Sequence, residues 1–140
     1  MNFKDLHIHG EVRTDLLHRI LYSTDASAYR EMPLAVAFPK VETDVQEIVR
    51  YASKNHINLI PRAGGTSLAG QVVGKGLVVD ISRYMNHILE INPEERWVRV
   101  QPGVVLDELN LYCKPYGLFF GPETSTSNRC CLGGMVGNNS

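Results

Sequence analysis

The stretch Arg62-Ala63-Gly64-Gly65-Thr66-Ser67-Leu68-Ala69-Gly70-Gln71 concentrates residue types suited to binding an anion. Gly64, Gly65 and Gly70 let the main chain adopt left-handed conformations and approach a ligand with no side chain in the way. Thr66 and Ser67 carry hydroxyls that donate to or accept from a phosphate oxygen. Arg62 brings a fixed positive charge to the start of the loop. Successive N–H groups turned inward form an anion nest, and a loop of this make-up reads as a cradle for the diphosphate of a dinucleotide. A Walker loop is excluded. Gly74-Lys75 is the sole Gly-Lys pair, Ala69 stands where the first glycine should be, and Gly76 follows the lysine. A Rossmann fingerprint is excluded too, because Gly64-Gly65 has the wrong spacing and no helix clearly opens behind it. A tight turn between two strands would use the same glycines, so this loop alone leaves both readings open.

A second segment near the end of the chain has related chemistry. It runs Gly121-Pro122-Glu123-Thr124-Ser125-Thr126-Ser127 and, after Asn128-Arg129-Cys130-Cys131, Leu132-Gly133-Gly134-Met135-Val136-Gly137-Asn138-Asn139-Ser140. Taken together, and in this order, the two segments resemble the flavin-binding domain of the vanillyl-alcohol oxidase / p-cresol methylhydroxylase family of FAD enzymes. Within that family the chain is most similar to the branch of FAD-linked 2-hydroxy-acid dehydrogenases. The resemblance runs from about Leu34 to Ser140.

The resemblance implies an α+β fold, a PCMH-type FAD-binding domain of two small α/β lobes truncated at its C-terminus. Lobe one spans about 34–81 and an incomplete lobe two about 88–140, behind an N-terminal helical extension at 1–33. It also implies FAD as cofactor. Arg62, Ala63, Gly64, Gly65, Thr66, Ser67 and Gly70 would then cradle the diphosphate. Pro122, Thr124 and Ser125 would line the adenosine–diphosphate stretch, and Gly134, Asn138 and Ser140 would approach from the second lobe. Some family members carry in this loop a histidine that bonds to the flavin. Thr66 stands in its place, so FAD is expected to be held non-covalently. Cys130 and Cys131 are expected to be packing residues, since a flavin-linked cysteine in the family lies nearer Ser127.

No catalytic residue is assigned. The family's substrate-binding groups lie in a C-terminal domain beyond this sequence. Alone, the chain is expected to be inactive and to hold FAD weakly. As part of a larger enzyme it is expected to oxidise a 2-hydroxy acid of D-lactate, glycolate or D-2-hydroxyglutarate type, passing electrons to an acceptor or an iron–sulfur domain. A different oxidoreductase built on the same flavin domain, such as an amino-sugar-enolpyruvyl reductase or aromatic alcohol oxidase, remains open, as does a non-catalytic binding domain.

The elements that must position these segments follow from pattern. Leu34 to Phe38 is an apolar run between two prolines and reads as a buried strand. Thr43 and Gln46 suggest a capping box. Behind it Val45, Ile48, Val49 and Ala52 form one face of a helix. Ile57 to Ile60 reads as the next strand, and strand–helix–strand implies a parallel pair with a right-handed crossover. Leu77 to Ile81 is a third strand. Asn86–Ile91 and Trp97–Gln101 read as a hairpin around Asn92-Pro93-Glu94-Glu95-Arg96. Val104 to Lys114 reads as a helix, with Val105, Leu106, Leu109 and Tyr112/Cys113 as its apolar stripe, ended by Pro115 and Gly117. Leu118-Phe119-Phe120 reads as a strand leading into the second segment. Upstream, Leu16, Leu17, Ile20 and Leu21 share a helical stripe with Thr14 as its cap.

The remaining features exclude classes. His7 and His9 would share a strand face, but no further ligand cluster accompanies them, so no metal site is assigned. With 140 residues, 44% hydrophobic and 21% charged, the chain has an ordinary globular composition. A net charge of −1 gives no electrostatic basis for nucleic-acid binding. No apolar run reaches the roughly 20 residues of a membrane span. Three cysteines without an export signal fit a cytoplasmic location.

Overall fold

The computed structural model describes residues 3–140. Its first sheet has four strands: β1 (Glu11–Arg13), β2 (Ala35–Phe38), β3 (Leu59–Arg62) and β4 (Leu77–Asp80), in the spatial order β1-β2-β4-β3. β4 is parallel to both of its neighbours, and β1 closes the edge antiparallel to β2. All four residues of β2 and all four of β4 are buried. That is why these strands read as unbroken apolar runs rather than as alternating ones. Each Val or Leu so placed contributes about 1.5–3 kcal/mol.

The strand–helix–strand unit therefore forms with one change. β2 and β3 do run parallel in one sheet, but β4 lies between them and pairs Val36 with Val78 and Ile60 with Val78. The connecting helix α2 (Glu42–Asn55) buries Ile48 and Ala52, whereas Val49 of the expected stripe is half exposed. Its cap residue is Val41, which makes no side-chain cap bond, so the Thr43–Gln46 capping box does not form. The first turn is tied down by Asp44 instead. This carboxylate is 1% exposed and accepts from the amides of His9 (2.8 Å), Gly10 (3.0 Å) and Lys40 (2.9 Å), and pairs with His9 Nδ1 (2.9 Å). Burial pushes its pKa up, but these bonds outweigh burial and bring it down to about 2.

Residues before Pro33 are less helical than expected. Among the described ones, only Leu16–Leu21 form a helix, α1, capped by Asp15 rather than Thr14, because the Asp15 carboxylate takes the His18 N–H. The stripe Leu16, Leu17, Ile20 and Leu21 faces outward, and the helix touches β2 through His18 and Tyr22, both edge-on to Phe38. Phe3 and Leu6 enter the same core as α2 and the sheet. His7 and His9 are exposed and lie outside any strand, and no cluster of metal-ligating side chains exists among the described residues.

A second core lies beyond Ile81. The hairpin β5 (Ile88–Asn92) and β6 (Trp97–Val100) packs with α3 (Leu106–Cys113) and α4 (Leu132–Asn138) around Val104, Leu106, Leu109, Cys113, Cys130, Leu132 and Met135. In the expected α3 stripe Leu106, Leu109 and Cys113 are buried, but Tyr112 is exposed. Pro115 does not stop the chain at once: a 3₁₀ turn, Lys114–Tyr116, follows and Gly117 ends it. Leu118-Phe119-Phe120 is not a strand. The Phe120 amide donates to the Asn110 side chain at 2.7 Å, and Phe119 is 77% exposed. Without a neighbouring strand to pair with, an apolar triplet has no reason to take sheet geometry.

Candidate functional site

β3 and β4 both end in the same direction, and the chain leaves β3 at Arg62 into the loop 63–76. The ends of parallel strands are where open α/β sheets place their ligands. Here the loop, Ile81 beyond β4, Pro102, and the segment 124–140 enclose a cleft of about 580 Å³. Of the residues singled out in the sequence, Arg62, Ala63, Gly64, Gly65, Thr66, Ser67, Thr124, Gly134, Asn138 and Ser140 line it. Gly70, Pro122 and Ser125 lie outside its wall. Gln71, Val72, Thr126, Gly133 and Gly137, not singled out from the sequence, also line it. Gln71, Thr126, Gly133 and Gly137 belong to the two quoted segments, so adjacency within those segments is the available signal.

The loop's main chain is unspent. Among the described residues, the N–H groups of Gly65, Thr66, Ser67 and Leu68 donate to no other group of the chain. The loop is nonetheless pinned at both ends: Ile81 N–H donates to Arg62 O at 3.0 Å, and Leu34 N–H to Gly76 O at 2.8 Å. Successive free donors, three of them on the cleft-lining residues Gly65, Thr66 and Ser67, meet the main requirement of an anion nest.

The two leading glycines are required by neighbours within the protein. A Cβ on Gly64 would stand 2.4 Å from the Arg129 carbonyl oxygen, a main-chain atom that cannot swing away. Gly64 is therefore where the loop meets the second segment. Gly65 has φ of +64°, and a Cβ there would stand 2.7 Å from an Arg62 guanidinium nitrogen. Arg62 is not arranged as a free charge at the mouth of the loop. Its Nη1 donates to Thr24 O at 2.7 Å and its guanidinium lies 5.0 Å from the centre of the Tyr22 ring.

The opposite wall is built differently. Cys131 leads into α4, and the N–H groups of Leu132 and Gly133 are already taken by Val104 O and Pro102 O, at 2.9 and 2.8 Å. The Thr124 hydroxyl is within 3.0 Å of Cys130 Sγ. Cys130 and Cys131 are buried free thiols. Burial pushes the Cys131 thiol up to about 11, with the neighbouring Cys130 adding to the shift and the Gly64 amide opposing it. At neutral pH it is a protonated packing group rather than a nucleophile.

Comparison with known proteins places this geometry in context. A family model described as FAD binding domain matches residues 33–140. The chain is 50% identical over 130 residues to the D-2-hydroxyglutarate dehydrogenase of Escherichia coli (strain K12), covering 91% of this chain and 13% of that protein. It is 34% identical over 124 residues to glycolate oxidase subunit GlcD of Bacillus subtilis (strain 168), covering 87% of this chain and 26% of that protein. The chain thus spans a small part of the curated relatives it matches. Among solved structures, p-cresol methylhydroxylase with substrate bound superimposes with a TM-score of 0.73 at 19% identity, over 91% of this chain and 26% of that one, a likeness of fold.

Proposed function

The chain belongs to the FAD binding domain family, and from that premise we propose that it is the flavin-binding portion of an FAD-dependent oxidoreductase acting on a 2-hydroxy acid. One observation carries the reading: Gly65, Thr66 and Ser67, whose amides are unspent, line a cleft large enough for a diphosphate and its neighbours. A diphosphate carries about two negative charges, and burying them without donors would be prohibitive. In this reading the loop amides and the Thr66 and Ser67 hydroxyls hold the phosphate oxygens. Thr124 supplies a further hydroxyl, and Gly134, Asn138 and Ser140 form the facing wall. With Thr66 at its centre the loop offers the cofactor no covalent attachment.

FAD, when bound, supplies a two-electron acceptor for the hydride of the substrate's C–H bond. The residues of this chain bind and orient that acceptor; the substrate is held by parts of the enzyme outside this sequence, with an electron acceptor or iron–sulfur domain as onward partner. Names of relatives such as D-2-hydroxyglutarate dehydrogenase and glycolate oxidase support the substrate class. Three buried free cysteines favour the reducing cytoplasm. No helix among the described residues is long and apolar enough to cross a membrane.

Titrating the chain with FAD and with riboflavin, followed by flavin fluorescence, tests the binding half. FAD should bind, and ADP should displace it. Equal affinity for riboflavin, which lacks the diphosphate, would overturn the assignment of the loop. For the chemistry, the full-length gene product should reduce a dye with one of a panel of D- and L-2-hydroxy acids.

A further inference from the structure

The ends of β3 and β4 are joined by more than the sheet. Arg62 and Asp80 are register partners at the ends of these strands. Tyr22, just after α1, reaches both of them. Its hydroxyl donates to Asp80 Oδ2 at 2.6 Å, and its ring carries the Arg62 guanidinium at 5.0 Å. Asp80 is 6% exposed and its other oxygen accepts from Ser82 N–H and Oγ–H, at 2.8 and 2.6 Å. From Tyr22 the chain continues over the loop. Thr24 O accepts from Arg62, Ala26 N–H donates to Gly65 O at 3.1 Å, and the Tyr29 ring sits against Gly70.

Resting on the flavin reading above, we infer that Arg62, Tyr22 and Asp80 form a clasp that fixes the anion loop from behind, with Arg62 a positioning residue that does not touch the phosphates. Three features carry this. The guanidinium is drawn toward Thr24 O and the Tyr22 ring. Gly65 leaves space for it where any Cβ would collide. Asp80 anchors Tyr22 in turn, and a carboxylate at that point lowers the pull of the guanidinium on an anion in the cleft. An anion loop works best when its donors are already in place, because ordering it on binding costs affinity. The clasp performs that ordering before the ligand arrives.

The experiment compares the unsubstituted chain with Arg62→Met, Arg62→Lys, Tyr22→Leu and the Arg62→Met/Tyr22→Leu pair. Hydrogen exchange at the Ala26 amide reads the clasp without any ligand. It should speed up about tenfold in Arg62→Met, less in Tyr22→Leu, and no further in the pair, because the two act as one unit. Amides of β2 should be unchanged. FAD affinity should fall about tenfold in Arg62→Met, with riboflavin binding unaffected and the dependence on KCl parallel to that of the unsubstituted chain. Arg62→Lys keeps the charge but loses the planar face over Tyr22, so it should resemble Arg62→Met. A flattened KCl dependence, or full rescue by lysine with Ala26 exchange unchanged, would make Arg62 a direct charge contact and overturn the clasp. Should the unsubstituted chain bind no FAD, the flavin reading fails, and the exchange measurement still decides the clasp.

Discussion

The two glycine segments facing each other across the cleft have similar composition and opposite construction. The loop after β3 leaves its amides at 65–68 free and is held from outside, by Tyr22, Thr24 and Ala26 behind it and Arg129 in front. The segment 131–138 spends its Leu132 and Gly133 amides on Val104 and Pro102 and later ones on its own helix, and buries the Cys131 thiol, with that of Cys130 buried just before it. One side is a frame of donors; the other is a packed wall. Glycine serves close approach within the protein at Gly64 and at Gly133, where a Cβ would stand 2.8 Å from Pro102 Cβ, but Gly137 faces open space, with nothing within 4 Å of a Cβ there.

Substitutions sort the two sides. Gly64→Ala should have the largest effect, because its Cβ would meet a carbonyl oxygen at 2.4 Å that only main-chain movement can relieve. We expect a loss of about 3 kcal/mol by denaturant unfolding, in the range of overpacked sites. An unchanged midpoint would mean the two segments are not in contact. The thiol wall comes next. With Cys131 up at about 11, its thiolate fraction at pH 7 is about one in ten thousand, so alkylation should run at least about a hundredfold slower than for a free cysteine. The sign for stability follows. The unfolded thiol gives up its proton first, so stability is fully present below its ordinary pKa and is lost as pH rises toward about 11. Fast alkylation at neutral pH would show the wall to be open.

Gly65→Ala should cost about 1–2 kcal/mol. Its Cβ meets only the tip of the Arg62 side chain, which can yield, so most of the penalty comes from φ of +64°. Ala26 exchange should also rise. The smallest effect is expected at Gly137→Ala. In a helix with nothing nearby, alanine should stabilise by about 0.5–1 kcal/mol, visible as a raised Tm. FAD affinity should nevertheless fall, since Gly137 lines the cleft. A rise in both would show that this face of α4 stands away from the ligand.

Much of this was legible in the order of residues, because it is local. Two prolines bracket β2, apolar runs mark β2 and β4, and Asn92 to Arg96 marks the hairpin turn. The two glycine segments pointed to ten residues that do line one cleft. What escaped depends on partners remote in sequence. The cap of α2 failed because Asp44 finds amides from His9, Gly10 and Lys40 rather than a box within the helix. Periodicity shows the α1 stripe but not which way it faces; His18 and Tyr22 occupy the Phe38 surface instead. Nothing local to Arg62 reveals Tyr22 and Thr24 beside it.

The position of β4 between β2 and β3 also sets an order of assembly. During synthesis β2 and β3 emerge first, yet neither can hydrogen-bond to the other, because their shared neighbour is still inside the ribosome. Only when residues 77–80 are delivered can three strands pair at once, drawing the intervening glycine turn shut behind them. The turn is thus framed by the same long-range pairing that joins β2 and β3 through β4, and a chain ending before Leu77 lacks the strand on which that frame rests.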